Sequence, residues 1–434
     1  MKPSRRRKAL LVAFVLLCLA AGTVTAHLLR REPPAPSSST PREPRLKPAY
    51  VPRGFTVQEA LAIYDALAKQ VPLATDAFRK SAHYREGMTC VTCHTETQFD
   101  PASGRVQLSA ARVPPERCGE CHEQQYEGFR KSRHFKAVTV FTEVVRYKAL
   151  GGYPAMQRQG CNRCHEPIGQ SCSACHPAHL FEPPRPPKDE FGGCQRCHLG
   201  PDHHQLEAYT SSVHYQVARA RGDGVPNCVF CHTSDQNNHY IFRIKGAPSH
   251  GRDEFMAKCT KCHTADFASR AFESIDAVKH ETNRIVEAAR QIIRQLYADG
   301  ILQRVPGSLV DQTGLPALNP NLTAYDQHVH PIENLMFRMF KYDAVATIAG
   351  AQHFSAVRTH WYGHAQLMET YNRIRRWAQE LRFLHALSRK LGVPLPQVPV
   401  YRYSNETGHE LDDAWRDPVQ YRRRLAEFYS EVNE

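Results

Sequence analysis

Seven Cys-x-x-Cys-His motifs constrain this chain more than any other feature of its sequence. They hold fourteen of the fifteen cysteines, and only Cys18 lies outside them. The motif residues are Cys90, Cys93 and His94; Cys118, Cys121 and His122; Cys161, Cys164 and His165; Cys172, Cys175 and His176; Cys194, Cys197 and His198; Cys228, Cys231 and His232; and Cys259, Cys262 and His263.

Several structures use a Cys-x-x-Cys pair, but the histidine that follows it is selective. Disulfides, zinc knuckles and thioredoxin-like pairs do not require that histidine. A c-type haem does, because two thioethers hold the porphyrin and the histidine binds the iron from one face. The sequence therefore predicts seven covalently attached haem c groups.

The N-terminus resembles an export signal, as haem attachment outside the bacterial cytoplasm requires. Four basic residues, 5–8, precede an apolar run from Ala9 to Leu29, which is long enough to span a bilayer. The Pro- and Ser-rich stretch 32–54 is typical of an extended tether. We expect residues 1–31 to anchor the protein on the periplasmic side of the inner membrane. Cleavage after Val24-Thr-Ala26, giving a soluble periplasmic protein, is the alternative.

The formal net charge of +13 would usually suggest an anionic macromolecule as partner. Fourteen haem propionates would offset much of this charge. Moreover, no basic run is interleaved with aromatic residues as a nucleic-acid site would need. We therefore expect no nucleic-acid partner.

The pattern of apolar residues predicts a mainly α-helical fold. Helical spacing occurs in 55–82, and the haem motifs occupy the rest of 55–272 with short helices and loops. Long helices are predicted in 273–394, followed by an irregular tail, 395–434. Two stripes indicate packing between long helices or subunits: Val278, Ile285, Ala289, Ile292 and Leu296, and Leu367, Tyr371, Ile374, Ala378 and Leu381.

The motif neighbourhoods resemble hydroxylamine oxidoreductase and its relatives, the octahaem cytochromes c, over roughly residues 85–390. The matching segments are CNRCH…CSACHPAHLF, CQRCHLGPDHHQLEAYTSSVH, CVFCH…NNHYIFRIK, CTKCHTADFASR and GAQHFSAVRTHWYG. Alignment from the C-terminal end leaves this chain without the family's first haem. The family's catalytic haem then corresponds to the third motif, that of His165.

The resemblance also implies axial ligands. Six distal histidines would close six irons and leave the seventh open. The candidates are His83, His134, His179, His214, His239 and His353, and the last five lie at positions that resemble the family's ligands. A histidine that only hydrogen-bonds a propionate or a carbonyl is the alternative for each.

The family's distal acid pair corresponds to Asp202 and His203, which would lie over the open iron. His203 would deliver protons and Asp202 would orient it. The alternative is that His203 or His204 binds a haem iron or caps a loop. The family's distal tyrosine falls near Asn237 in this chain. Its porphyrin-linked tyrosine falls at His360 or Trp361, and Tyr362 is out of register, so we expect no cross-link.

These expectations favour an enzyme that reduces nitrite or hydroxylamine at the haem of His165. Oxidation of hydroxylamine or hydrazine at the same haem is one alternative, and an electron carrier with every iron closed by two histidines is another. The expected partners are a small nitrogen oxyanion or hydroxylamine and a membrane redox protein, such as a quinol-linked cytochrome. The resemblance also implies a homotrimer.

Overall fold

A computed structural model gives the fold for residues 47–108, 112–135, 137, 157–183, 190–200, 203–223, 225–242, 251–302 and 330–394. These residues are mainly helical, as predicted. The predicted anchor, the tether before residue 47, the tail beyond 394 and Asp202 lie outside them.

The described part begins with a 3-10 turn, Pro48–Tyr50, and two helices, α1 (Val57–Gln70) and α2 (Pro72–Lys80). A capping box starts α1: Glu59 N–H donates to Thr56 Oγ1 (3.1 Å), and Thr56 N–H donates to the Glu59 carboxylate (2.8 Å). The helical prediction for 55–82 is thus confirmed. On α1, Ala60, Ile63 and Leu67 are buried, whereas Val57 and Leu61 are exposed.

Short elements carry the haem motifs. The helices are α3 (Ala82–Arg85), α4 (Cys90–Cys93), α5 (Pro115–Gly119), α6 (Glu123–Lys131), α7 (Asn162–Ile168), α8 (Gln205–Thr210), α9 (Val213–Arg221), α10 (Cys228–His232) and α11 (Arg252–Cys259). A π-helical turn, Gln157–Cys161, precedes α7, and 3-10 turns cover Cys172–Ala174 and Cys194–Arg196. Strands β1 (Thr97–Asp100) and β2 (Arg105–Leu108) form an antiparallel hairpin that pairs Thr97 with Leu108.

The C-terminal part contains two long helices, the first and the last, and three shorter ones between them. They are α12 (Ala265–Ala298), α13 (Pro331–Arg338), α14 (Ala344–Gln352), α15 (Ala356–Thr359) and α16 (Ala365–Leu391). Two π-helical turns, Met339–Asp343 and His360–His364, lie before α14 and α16. Gly300, at φ +69°, lies two residues beyond the end of α12.

The largest apolar core of the described residues lies between α12, α13 and α16. Its fully buried members include Ile293 and Leu296 of α12, Met336 of α13 and Ile374 of α16. Packing between long helices is therefore confirmed as the role of both stripes. For α12 the prediction is right at Ala289 and Leu296 but off by one residue elsewhere, because Val286 and Ile293 are buried whereas Ile285 and Ile292 are only partly so.

Candidate functional site

Each haem motif folds into about one helical turn. The motif histidine's backbone N–H donates to the carbonyl of the first motif cysteine in five motifs: His94 to Cys90 (2.9 Å), His122 to Cys118 (2.9 Å), His176 to Cys172 (3.0 Å), His198 to Cys194 (3.0 Å) and His263 to Cys259 (2.9 Å). Of the other two motifs, the third spans the start of α7 and the sixth forms α10. This turn brings both thiols and the imidazole together, as one porphyrin requires.

The structure brings each of the six predicted distal histidines beside one motif histidine. The ring centres are 5.9 Å apart for His83–His122, 6.4 Å for His94–His179, 6.1 Å for His134–His198, 6.1 Å for His176–His239, 6.2 Å for His214–His263 and 6.3 Å for His232–His353. Each pair joins residues that are separated in sequence, so the fold, and not local spacing, creates it.

A seventh pair involves the remaining motif. The rings of His165 and His203 have centres 6.0 Å apart and an interplanar angle of 57°. His203 also lies 6.4 Å from His198, the motif histidine of the preceding haem segment. All seven motif histidines thus face a histidine from another part of the chain.

Hydrogen bonds position His203 at the start of α8. Its N–H donates to the Gly200 carbonyl (3.1 Å), and Leu206 N–H donates to the His198 carbonyl (3.0 Å). The N–H of Gly200, a residue with φ +91°, donates to the Glu207 carboxylate (2.8 Å). The positive φ explains the glycine in this tight turn. His203 therefore lies close to the fifth motif, and its ring faces His165 of the third.

The spacing of these pairs fits a haem iron. Two metal–nitrogen bonds of about 2.0 Å, plus two ring halves of about 1.1 Å, would separate two imidazole centres on one iron by about 6 Å. In three of the paired histidines, a contact of Nδ1 with a backbone carbonyl also leaves the other ring nitrogen, Nε2, to bind the metal. The Nδ1 atoms of His176, His232 and His353 lie 3.3, 3.4 and 2.8 Å from the carbonyls of Glu182, Phe242 and Ala349, so that Nε2 is available.

Burial favours the neutral imidazole, the form that binds a metal. Burial, with a smaller contribution from neighbouring histidines, lowers the pKa of His198 and of His232 to about 4. Burial likewise lowers the pKa of His134, His214 and His353.

Apolar side chains beside the pairs provide surface for a porphyrin. Phe267 stacks on His263 with centres 4.7 Å apart, and Phe354 meets His214 edge-on at 5.1 Å. Both phenyl groups are exposed, at 49% and 40%. A porphyrin between the paired histidines would cover such side chains, and covering them is favourable.

Backbone strain marks two of these positions. His179 and Phe354, which follows the predicted ligand His353, have φ values of +66° and +59°. L-residues adopt this region rarely, at about 1–3 kcal/mol each. Such conformations persist where the surrounding structure demands them, so both segments are held in place by their sites.

The motifs lie next to one another in space. Burial and Cys118 raise the pKa of Cys93 to about 11, and a hydrogen bond with Cys118 raises the pKa of Cys172. The first, second and fourth motifs are therefore neighbours. Burial and Cys259 raise the pKa of Cys231 to about 12, so the sixth and seventh are neighbours as well.

The third motif meets the fifth. Cys164 Sγ lies 3.8 Å from the Arg196 carbonyl, and burial and Cys164 raise the pKa of Cys197 to about 12. Arg196 Nη1 donates to the Cys175 carbonyl (3.3 Å) and so links the fifth motif to the fourth. The first five haem motifs thus form one contiguous group, with the third beside the fifth.

Comparison with known proteins agrees with this arrangement. The family model described as "Seven times multi-haem cytochrome CxxCH" matches residues 147–230 and 244–307. The chain is also 24% identical to a probable nitrite reductase-hydroxylamine oxidoreductase fusion protein of Kuenenia stuttgartiensis. That alignment of 401 residues covers 69% of this chain but only 45% of the relative's length. The chain is thus similar to multihaem cytochromes c and to a relative named for nitrite reduction and hydroxylamine oxidation.

Solved structures share the multihaem cytochrome fold. The reducing HAO-like protein complex of Kuenenia stuttgartiensis matches with a TM-score of 0.63 at 20% identity, over 77% of this chain and 87% of that one. A hypothetical multiheme protein matches with a TM-score of 0.59 at 14% identity, over 79% of this chain and 98% of that one. The expected resemblance and fold class are confirmed.

Other predicted residues of this cytochrome are placed as follows. Asn237 Oδ1 accepts the His239 N–H (2.9 Å), and its amide donates to the Gln124 carbonyl, so Asn237 supports the loop that carries His239. Trp361 and Tyr362 lie in the π-helical turn 360–364 with 64% and 57% of their surface exposed. The Arg358 guanidinium lies 4.7 Å from the Tyr362 ring centre.

The aromatic residues around the histidines were not predicted from the sequence. Phe181 meets His83 edge-on at 5.1 Å, and Phe255 does the same for His232 at 5.1 Å. Phe267, four residues after His263, is the one that local spacing could have indicated. Among the residues that the structure describes, no helix combines the length and apolar character needed to cross a bilayer. The run from Ala9 to Leu29 lies outside that part.

Proposed function

We propose that this multihaem cytochrome carries seven haem c groups and reduces nitrite or hydroxylamine at the one held by Cys161, Cys164 and His165. One observation carries this proposal. Six motif histidines face the six predicted distal ligands, whereas His165 faces His203, a residue of the segment that resembles the family's acid pair. The relatives named for nitrite reduction and hydroxylamine oxidation support the same chemical class.

The haem would supply an iron that binds the nitrogen compound and passes electrons to it. The chain supplies the rest. His165 would bind the iron, and Cys161 and Cys164 would hold the porphyrin. Haems held by neighbouring motifs would supply electrons, and the fifth motif is such a neighbour, because the Arg196 carbonyl lies 3.8 Å from Cys164 Sγ.

Reduction of nitrite or hydroxylamine consumes protons and releases water, so the distal side must supply protons. The imidazole N–H of His203 would donate to the substrate oxygen that leaves as water, and Asp202 would orient the ring. General-acid groups of this kind contribute about 10²–10⁴-fold in rate.

Turnover with dithionite-reduced viologen tests this function. We expect the full-length protein to oxidise the viologen with nitrite or hydroxylamine, and Asp202→Asn to lower kcat by about 10²-fold or more. Asp223→Asn is the matched control, because Asp223 is exposed and pairs with Arg221 at 2.7 Å. Absence of turnover in fully haem-loaded protein, or equal rates in both variants, would contradict the proposal.

An electron carrier is the second candidate. The 6.0 Å separation of His165 and His203 lies within the 5.9–6.4 Å range of the other six pairs and favours it. A carrier would exchange electrons with the viologen but show no turnover with either nitrogen compound.

We also propose a periplasmic location at the inner membrane, electron supply from a quinol-linked cytochrome, and a homotrimer. The basic-then-apolar N-terminus supports the location, because c-type haem is attached outside the cytoplasm. Exposed Phe383, Leu387 and Leu391 on α16 support self-association. Membrane fractionation with N-terminal mass analysis tests the location, and sedimentation equilibrium tests the trimer.

A further inference from the structure

Three seven-residue stretches of this chain share one sequence pattern: an aromatic residue, a serine three positions later, then a histidine and a second aromatic residue. They are residues 78–84 (FRKSAHY), 129–135 (FRKSRHF) and 209–215 (YTSSVHY). We call them the serine–histidine segments. Their histidines are three of the six predicted distal ligands that face a motif histidine, namely His83, His134 and His214. The same pattern therefore accompanies a distal histidine at three separate places in the fold.

The serine of each segment begins the turn that carries the histidine. Its backbone N–H donates to the carbonyl of the first aromatic residue at 2.9 Å in all three segments: Ser81 to Phe78, Ser132 to Phe129 and Ser212 to Tyr209. The backbone of all three serines is extended, with φ between −93° and −73° and ψ between 158° and 162°. All three serines are buried. The repeated sequence thus produces a repeated local structure.

The two aromatic rings of each segment pack edge to face across this turn. Their centres are 5.7 Å apart for Phe78–Tyr84, 5.6 Å for Phe129–Phe135 and 5.4 Å for Tyr209–Tyr215. Edge-to-face pairs stabilise beyond the burial of their surface. Because the histidine directly precedes the second ring, the ring pair holds the residue beside the ligand against the preceding helix.

The serine hydroxyl caps the helix that bears the histidine in two of the segments. Ser81 Oγ accepts the Tyr84 N–H (3.1 Å) at the start of α3, and Ser212 Oγ accepts the Tyr215 N–H (3.2 Å) at the start of α9. Ser132 Oγ has no hydrogen-bond partner among the described residues. In the two capped segments the hydrogen bond spans the histidine, from two residues before it to one residue after it.

The first segment has no haem motif beside it. Helices α2 and α6 each have nine residues and each end directly before the serine. The second motif, ending at His122, precedes α6, whereas the stretch 67–71 before α2 reads LAKQV and contains no cysteine or histidine. His83 nevertheless faces His122. The serine–histidine segment therefore presents its histidine to a haem motif elsewhere in the chain, independently of a haem bound next to it.

We propose that the serine–histidine segments position the distal ligands of three haems, and that Ser81 and Ser212 are positioning residues for His83 and His214. The serine acts through the backbone of the turn that carries the ligand, and the ring pair fixes that turn on the preceding helix. Neighbouring groups of this kind orient metal-binding histidines. The inference needs covalent haem at the second, fifth and seventh motifs, but no particular reaction of a nitrogen compound.

Carbon monoxide binding tests the role of Ser212, because carbon monoxide competes with His214 for the reduced iron. Loss of a helix N-cap changes a local equilibrium by about fivefold. Ser212→Ala should therefore raise the apparent affinity of the seventh-motif haem for carbon monoxide by about fivefold, measured by Soret titration of the dithionite-reduced, full-length protein. Thr56→Ala is the matched control and should leave this affinity unchanged, because Thr56 caps α1, which contains no histidine.

A double-mutant cycle locates the effect at the ligand. In His214→Ala the competing imidazole is absent, so the addition of Ser212→Ala should change the affinity for carbon monoxide no further. Ser81→Ala and His83→Ala should behave in the same way at the second-motif haem. Haem content per chain and far-UV circular dichroism establish that each variant is folded and loaded.

Three results would overturn the proposal. Ser212→Ala would bind carbon monoxide like the wild type, or Thr56→Ala would show the same increase as Ser212→Ala. The third result is an equal increase when Ser212→Ala is added to His214→Ala, which would mean that the serine acts on the fold and not through the ligand. None of these measurements depends on turnover of nitrite or hydroxylamine, so the proposed function can fail while the role of the serines stands.

Discussion

His232 and His353 face each other with ring centres 6.3 Å apart, and this contact joins the haem-motif segment to the C-terminal helices. His232 ends α10, and His353 follows α14 directly. His353 Nδ1 donates to the Ala349 carbonyl (2.8 Å), which orients the ring from its own helix. One haem would therefore tie the two parts of the fold together.

We expect His353→Ala to open one iron and to weaken the fold. The oxidised protein should gain one high-spin haem, because the imidazole opposite His232 is lost, and its melting temperature should fall. His360→Ala, an exposed histidine in the next helical turn, should change neither property. EPR and thermal unfolding by circular dichroism measure both effects. An unchanged spin count in His353→Ala would contradict the pairing.

A second prediction concerns the apolar core between the long helices. Ile374 is fully buried, so Ile374→Ala should lower the free energy of unfolding by about 2–5 kcal/mol through lost burial and a cavity. Leu387 lies on the same helix but is 39% exposed, and Leu387→Ala should cost less than about 1 kcal/mol. Urea unfolding followed by circular dichroism compares them. If both variants lost the same unfolding free energy, α16 would not pack as described.

The haem motifs could be identified from the sequence because their chemistry is local. Two thiols and an imidazole within five residues define the covalent site regardless of the rest of the fold. Apolar periodicity likewise indicated the long helices, and Leu367, Ile374 and Ala378 are buried as predicted. Over the 34 residues of α12, however, the buried face drifts, because helices on two sides cover adjacent positions.

The pairing of histidines depends on contacts between distant segments. The family resemblance indicated six distal histidines, but the motif spacing contains no information on which motif each one faces. His203 shows the difference most clearly. Its position in the sequence suggested a proton donor above an iron with one open coordination site. Its 6.0 Å ring separation from His165, in contrast, depends on the fold, which holds His203 through the hydrogen bond of its N–H to the Gly200 carbonyl. The two π-helical turns before α14 and α16 have no sequence signal of this kind either.

A third prediction concerns the close approach of two helical segments at Gly363. A Cβ at this position would lie 2.5 Å from Thr347 Cα and 2.7 Å from the Arg358 carbonyl oxygen. Both are backbone atoms, so the segments must separate, and Gly363→Ala should cost about 1–3 kcal/mol of unfolding free energy. Gly160→Ala, where an added Cβ meets nothing within 4 Å, is the control. Urea titrations that gave equal midpoints would contradict this packing.

The last prediction concerns the pH dependence of stability. Asp343 is buried, and burial raises the pKa of its carboxyl above 3.8 although Thr370 Oγ1 donates to it (2.6 Å) and Arg338 lies 3.7 Å away. Between these two pKa values the folded chain holds a proton that the unfolded chain has released. The contribution of Asp343 to the free energy of unfolding therefore falls as the pH rises from about 4 through its folded pKa.

Asp343→Asn keeps an acceptor for Thr370 but cannot ionise. The stability of the variant relative to wild type should therefore increase as the pH is raised from about 4 to about 7. Asp223→Asn should change little relative to wild type over this range, because a hydrogen bond from Arg221 lowers the pKa of Asp223 below 3.8 and the stability that it contributes is lost only below about pH 4. Urea unfolding across this range measures both differences. If the stability difference between Asp343→Asn and wild type did not change with pH, the Asp343 carboxylate would ionise in the folded protein at no cost in free energy. Thr370 and Arg338 would then stabilise the carboxylate fully.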